Sequence, residues 1–174
     1  MIYGTRFLVA TAVAGTLMFS SVAALADHHT AKLSGTRFEM QVPKDWSPGY
    51  KDLDNLLMLH FNSADGAVLE GVYLRKDQPA GYTLDEFKKA RIEGQNKVYA
   101  GKDHKVTKEE SLTIGGQPGN YILTTWNEGG KAFEKHTAQY LKEGHQYMVV
   151  LWGPTGKVHK KVFDEAVASF ALAK

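Results

Sequence analysis

His145-Gln146-Tyr147-Met148-Val149-Val150-Leu151-Trp152-Gly153-Pro154 is the stretch that decides how this chain folds. From Tyr147 to Trp152 every residue is apolar, so the segment has no face to give to water. A strand of that kind needs cover on both sides and belongs in the middle of a sheet. Gly153 and Pro154 end it, since proline carries no N–H for a ladder. Downstream, Val158, Val162, Phe163, Ala166, Val167 and Phe170 recur at helical spacing, with lysines, Asp164 and Glu165 opposite. That pattern predicts a helix over about 157–171, lying apolar face down on the sheet.

Working outward, Ala132 to Leu141 forms the other arm of a hairpin across Lys142-Glu143-Gly144. Asn120 to Trp126 precedes it, turned by Asn127-Glu128-Gly129-Gly130, and Ser111 to Ile114 comes before that. In Gly115-Gly116-Gln117-Pro118-Gly119, Pro118-Gly119 suits a type II turn, because proline presets φ and glycine accepts a positive one. Further upstream Asn55 to Phe61 is almost continuously apolar and reads as a strand covered on both faces. Asn62-Ser63-Ala64-Asp65-Gly66 turns it back into Ala67 to Leu74. Phe38, Met40 and Val42 alternate with Arg37, Glu39 and Gln41, a half-buried strand that stops at Pro43. Between the two groups of strands, Thr83 and Glu86 make a capping box for a helix from Leu84 to about Tyr99. Leu84, Phe87, Ala90 and Val98 fall near one face of that helix, and Gly94 reads as a close-packing position. The fold class is α+β: an about six-stranded, mainly antiparallel sheet with helices packed on it.

The first 26 of the 174 residues have the three parts of a cleavable secretory signal. Arg6 supplies the charge, Phe7 to Phe19 the apolar core, and Val22-Ala23-Ala24-Leu25-Ala26 the small-x-small cleavage site. The apolar core is shorter than the ~20 residues a membrane-spanning helix needs. Cleavage after Ala26 is expected, which predicts a periplasmic or secreted protein with no transmembrane segment remaining. There is no cysteine, so there is no lipobox, no disulfide and no thiol chemistry. The remaining 148 residues suffice for one domain: 27–35 as a flexible lead-in and 36–174 as a single globular unit. They carry 20 basic and 19 acidic residues, a net charge of +1. Lys157-Val158-His159-Lys160-Lys161 reads as a solvated helix face, and nucleic acid is not an expected partner.

Catalytic patterns are missing. No G-x-S-x-G elbow occurs, and Glu109-Glu110 would point apart on a strand. The glycine-rich 115–119 segment is followed by a strand, whereas a phosphate loop needs a helix N-terminus there. His60, His104, His136, His145 and His159 show no metal-ligand spacing and read as surface or strand-filling residues. The sharpest chemistry is at the expected new N-terminus, Asp27-His28-His29, where an α-amine, backbone amides and an imidazole match square-planar Cu(II) or Ni(II). Trp46, Tyr50, Trp126 and Trp152 are candidates either for core or for the lining of a cleft.

Three stretches carry a resemblance. Phe38-Glu39-Met40-Gln41-Val42-Pro43-Lys44-Asp45-Trp46 is similar to the opening strand and proline–tryptophan turn of the PsbP family and its bacterial DcrB-like relatives. Leu112-Thr113-Ile114-Gly115-Gly116-Gln117-Pro118-Gly119 is similar to a hairpin of the same family. So are the final strand and the helix ending Ala168-Ser169-Phe170. The resemblance covers most of the chain after the signal and implies an α/β/α sandwich. It also implies a non-enzymatic accessory or assembly role, since the best-known members associate with photosynthetic membrane complexes. No catalytic residues carry over. The expected function is therefore an exported accessory protein acting through contacts with a protein partner or membrane complex, as a monomer. A small-molecule or metal-binding module is the alternative.

Overall fold

The apolar alternation of Phe38–Pro43 (β2) drives its strand into the centre of a small sheet, with Phe38, Met40 and Val42 fully buried. The computed structural model describes residues 28–32, 38–75 and 78–172, so the expected signal segment lies outside the described residues. His28–Lys32 (β1) and Ala171–Leu172 (β10) flank β2 on either side, both antiparallel to it.

The large sheet has seven strands, all antiparallel to their neighbours. In chain order these are Ser47–Leu53 (β3), Leu56–Asn62 (β4), Val68–Leu74 (β5), Lys105–Ile114 (β6), Gln117–Glu128 (β7), Lys131–Lys142 (β8) and His145–Pro154 (β9). Their spatial order is β3-β4-β5-β9-β8-β7-β6, which puts the apolar β9 in the centre, as its composition demands. Among the described residues two helices accompany the sheets: Leu84–Val98 (α1) and Lys160–Ser169 (α2).

Helix α2 and the small sheet cover one face of the large sheet. Phe163, Ala166 and Val167 of α2 join Phe38, Met40, Val42, Leu59, Phe61, Leu69, Val149 and Leu151 in one continuous apolar cluster. Across this face Tyr73, Tyr147 and Tyr140 stand in one row on β5, β9 and β8, with ring centroids 5.2 and 5.0 Å apart. Gly71, in the next row, leaves the hollow that receives Phe38: a Cβ there would lie 2.5 Å from Phe38 Cε2. Helix α1 covers the opposite face with a smaller apolar cluster around Phe87, Val72, Met148 and Val150. The result is three layers, with the large sheet in the middle.

Several expectations need correction. The large sheet has seven strands, and a separate three-stranded sheet accompanies it. The expected flexible lead-in over 27–35 contains strand β1, whose Ala31 is buried against the core. Strand β3 carries only exposed or half-buried residues, so it offered no hydrophobic pattern to read. Pro118 and Gly119 belong to β7; the turn before them is Gly115-Gly116, with φ of 57° and 74° at the two glycines. Two successive left-handed residues make the tight hairpin whose twist suits flanking strands. In α1 the capping box forms as expected, Glu86 N donating to Thr83 Oγ1 at 3.2 Å and Thr83 N to Glu86 Oε2 at 2.7 Å. Val98, however, is 68% exposed, and a Cβ on Gly94 would meet nothing within 4 Å, so Gly94 is not a close-packing site. Helix α2 starts at Lys160, three residues later than the periodicity suggested.

Candidate functional site

The two faces of the large sheet differ in chemistry, and the difference builds the site. On the α1 face, successive rows across β4, β5, β9 and β8 read Leu56–Leu74–Gln146–Leu141, Met58–Val72–Met148–Gln139 and His60–Glu70–Val150–Thr137. The next row places Trp152 beside Lys135. Polar residues thus enter every row, and on β8 they run from Gln139 through Thr137 to Lys135. Gln139 and Thr137 are almost fully buried, and Lys135 is 8% exposed.

Helix α1 supplies the roof. Phe87, Arg91 and Gln95 recur every four residues, one stripe on the helix. Phe87 and Gln95 are the buried residues of that helix. Between the stripe and the sheet lies a cavity of about 300 Å³, lined by Leu56, Leu74 and Gln146 from one row, Met58, Val72 and Met148 from the next, and Glu70 and Arg91. Phe87, Ala90 and Tyr82 close it from above.

Inside this layer the polar groups are poorly matched by one another. Both amide atoms of Gln95 and of Gln139, the Nε of Arg91 and the hydroxyls of Thr124 and Thr137 are buried with no hydrogen-bond partner among the described residues. Glu70 fares better, its Oε1 accepting from Trp152 Nε1 at 3.0 Å. Lys135 Nζ donates to Tyr99 OH at 2.8 Å and stands over the rings of Tyr99 and Trp126, 5.0 and 5.5 Å from their centroids. Tyr99 in turn stacks on Trp126 at 4.5 Å and on His104 at 5.3 Å. Burial, with repulsion from Arg91 added, lowers the Lys135 ammonium to about 8, while Glu70 pulls it upward. Burial also lowers the Arg91 guanidinium, opposed by Glu70 and Tyr99. It remains charged at any ordinary pH.

On the α2 face one polar pair within the apolar packing is self-contained. His136 Nδ1 and Tyr121 OH are 2.7 Å apart and buried, and Phe163 packs over both rings. Burial pushes the Tyr121 phenol up to about 12 and the His136 imidazole down, so the pair is neutral near pH 7.

Of the residues singled out in the sequence, Trp126 and Trp152 come together around Lys135 and Glu70. Trp46 is buried in the α2-side core and Tyr50 is exposed on the edge strand β3. Asp27 lies outside the described residues. His28 and His29 are held in β1, opposite Pro43 and Val42. His28 Nε2 lies 2.9 Å from Glu165 Oε2, an ion-pair distance without hydrogen-bond alignment. Among the described residues no three His, Asp or Glu side chains are grouped to hold a metal ion. The sequence reading missed Glu70, Arg91, Gln95, Lys135 and Gln139. One signal was present: Lys135-x-Thr137-x-Gln139 is a polar stripe at strand spacing, in a strand next to the most apolar segment of the chain.

No sequence family and no curated protein matches the chain. Solved structures do match in shape. The solution structure of cyanobacterial PsbP (CyanoP) from Synechocystis sp. PCC 6803 aligns with a TM-score of 0.65 at 14% identity, covering 91% of this chain and 100% of that one. The Ran-binding protein Mog1p of Saccharomyces cerevisiae aligns with a TM-score of 0.61 at 11% identity, over 84% of this chain and 96% of that one. A Bacteroides thetaiotaomicron protein aligns with a TM-score of 0.55 at 17% identity over 79% of this chain; the chain spans about half of that protein, 46% of its length. Identities this low speak for architecture alone, and what they establish is that this chain has the PsbP-like fold.

Proposed function

We propose that the chain is an exported, non-catalytic binding domain that holds a small organic ligand between α1 and the seven-stranded sheet. The observation that carries this reading is a cavity of about 300 Å³ under α1, lined by Arg91, whose buried Nε has no partner among the described residues, with the unpartnered amides of Gln95 and Gln139 in the same layer. Each buried polar group left unpaired costs about 1–3 kcal/mol, and the chain places several on the same face. The α2 face shows that the same sheet packs tightly with apolar and aromatic side chains. A ligand with a polar atom at Arg91 would satisfy a group the protein leaves open. The non-catalytic reading is supported by the fold shared with the Ran-binding protein Mog1p and with cyanobacterial PsbP. Export rests on the signal pattern of the first 26 residues.

Native mass spectrometry of protein purified from its own periplasm tests both parts. The expected result is a chain beginning at Asp27, carrying an organic adduct that dissociates on unfolding. A thermal-shift screen of chemically diverse small molecules complements it, since a ligand at a hundredfold its Kd adds about 2.7 kcal/mol of stability. No adduct and no shift across the screen would sink the ligand reading.

A second reading is an accessory domain that docks on a protein or a membrane complex. It is favoured by the fold shared with the Ran-binding Mog1p and by the edge strand β3, which exposes Tyr50 and Leu53. Affinity capture from native periplasm tests it; a specific partner lost on charging Leu53 would support it, and a background-level yield would count against it.

A further inference from the structure

We propose that the cleft under α1 takes a free α-amino acid with an apolar side chain, its carboxylate on Arg91, its ammonium on Glu70 and its side chain among Met58, Val72, Phe87 and Met148. This deepens the small-ligand reading above and rests on it.

Two charged side chains line the cleft, and they have opposite signs. Glu70 comes from β5 and Arg91 from α1. They act on each other at a distance, since Glu70 opposes the burial that lowers the Arg91 guanidinium. Yet among the described residues no ion pair or hydrogen bond joins them. Arg91 keeps a buried Nε without a partner. Glu70 accepts from Trp152 through one oxygen, and a carboxylate has about four acceptor sites. The other polar side chains of the lining, Gln146 and Tyr82, hydrogen-bond each other. The rest of the lining is apolar.

Two opposite charges that share a cleft without pairing fit a molecule that carries the same two charges in reverse. A lone carboxylate on Arg91 would stand beside Glu70, and a lone ammonium on Glu70 would stand beside Arg91. An apolar molecule would take water from both ions and return nothing, which a low-dielectric layer penalises. An α-amino acid bears both charges on one carbon and is neutral overall, as the pair Glu70 and Arg91 is. Its carboxylate matches the planar guanidinium fork, and its ammonium brings three donors to Glu70. The row of Met58, Val72 and Met148 lies one step from the row of Glu70, about 7 Å along the strands. Phe87 packs in the same apolar cluster. A side chain attached to the charged carbon is laid against that row. The volume bounds it: about 300 Å³ is the space of roughly ten waters in the liquid, which suits one amino acid and not a peptide.

Isothermal titration of the mature protein with L-leucine and three analogues tests the assignment. The analogues are 4-methylpentanoate, which lacks the ammonium, 3-methylbutylamine, which lacks the carboxylate, and the uncharged 4-methylpentanamide. Leucine is expected to bind at least about tenfold more tightly than any of them, the size of one charge-assisted hydrogen bond. Glu70→Gln keeps an acceptor for Trp152; it should weaken leucine at least about tenfold and leave 4-methylpentanoate as tight or tighter. Arg91→Met should weaken leucine by a similar factor and leave 3-methylbutylamine as tight or tighter. A merely structural role for either residue would weaken all four ligands alike. Should the methionine variant not fold, Glu70→Gln carries the test by itself. Leucine binding no tighter than 4-methylpentanamide, or a substitution that weakens all four alike, would overturn the proposal. If the ligands bind without preference and Ala90→Phe, which fills the cleft from the helix, abolishes binding, the amino-acid assignment falls and the small-ligand site stands. If none of the four binds but the diverse screen yields a ligand blocked by Ala90→Phe, the same holds. If nothing binds in either experiment, both readings fall.

Discussion

Replacing Lys135 with methionine puts the electrostatics of the α1 face to a quantitative test. Lys135 is held in the middle of β8, its ammonium bonded to Tyr99 and enclosed by Tyr99 and Trp126. Burial first, and Arg91 second, lower it from 10.5 to about 8. Glu70, from β5, is the carboxylate that opposes them. The unfolded chain therefore holds the proton more tightly than the folded one does. Stability is lowest below about pH 8 and rises as the pH climbs toward 10.5, where both states are neutral. The gap between the two values corresponds to about 3 kcal/mol of destabilisation at pH 7, falling to about 1 kcal/mol at pH 9.5. Methionine keeps the apolar stem and removes the charge, but leaves the Tyr99 hydroxyl without its donor, a loss of about 1 kcal/mol. The variant should therefore be more stable than the parent by about 2 kcal/mol at pH 7, roughly 5 °C in Tm. That advantage should shrink to near zero by about pH 9.5, before Tyr82, Tyr99 and Tyr121, raised by burial, begin to titrate. Urea unfolding of both proteins by circular dichroism across this range gives the difference directly. A difference that does not change with pH would show that Lys135 titrates alike in both states, and the account of a buried, desolvated ammonium would be wrong.

Three further outcomes follow from other parts of the molecule. Gly94→Ala should stabilise by about 0.5–1 kcal/mol, since alanine restricts the unfolded chain and meets open space on α1; a loss of stability would mean that the helix is closer to a neighbour than described. Gly71→Ala should destabilise by about 1–3 kcal/mol in urea, because its methyl displaces Phe38 from the hollow between the two sheets, and a neutral result would show that the small sheet shifts without penalty. Trimming Asp27 to His29 should abolish tight Cu(II) binding in a copper titration. Copper must draw that segment out of β1 and away from Glu165, so unchanged binding would refute the N-terminal site.

The elements that sequence made legible are those whose burial is one-sided or complete. Phe38, Met40 and Val42 alternate because one face of β2 meets the core, and β9 is apolar from Tyr147 to Trp152 because both its faces are covered. The Thr83–Glu86 box is local chemistry and survives any tertiary context. Strand β3 was hidden for the opposite reason: it pairs through its backbone at the edge of the sheet, and its side chains record no burial. Strand β1 is short and polar, and only its register with β2 makes it a strand. The candidate site was hidden by distance. Glu70, Arg91 and Lys135 come from three elements and are ordinary charged residues until α1 is laid on the sheet. Only the polar stripe of β8 marked the place, and a single strand cannot say what lies over it.

The strand order carries a kinetic consequence. The large sheet consists of two sequential meanders, β3-β4-β5 and β6-β7-β8-β9, and each can zip up from tight turns. They meet at one seam, where Val72 lies opposite Met148 and Glu70 opposite Val150. Closing that seam joins residues more than 70 positions apart, a slow search compared with forming either meander. Helix α1 is part of the connection between the meanders, and the cleft beneath it spans the seam. The pocket therefore comes into being only as the two halves dock, and it is the part of the molecule that a partial opening would dissolve first. An occupant lying across β4, β5 and β9 would bridge both halves, so its residence would slow unfolding as well as shift the equilibrium.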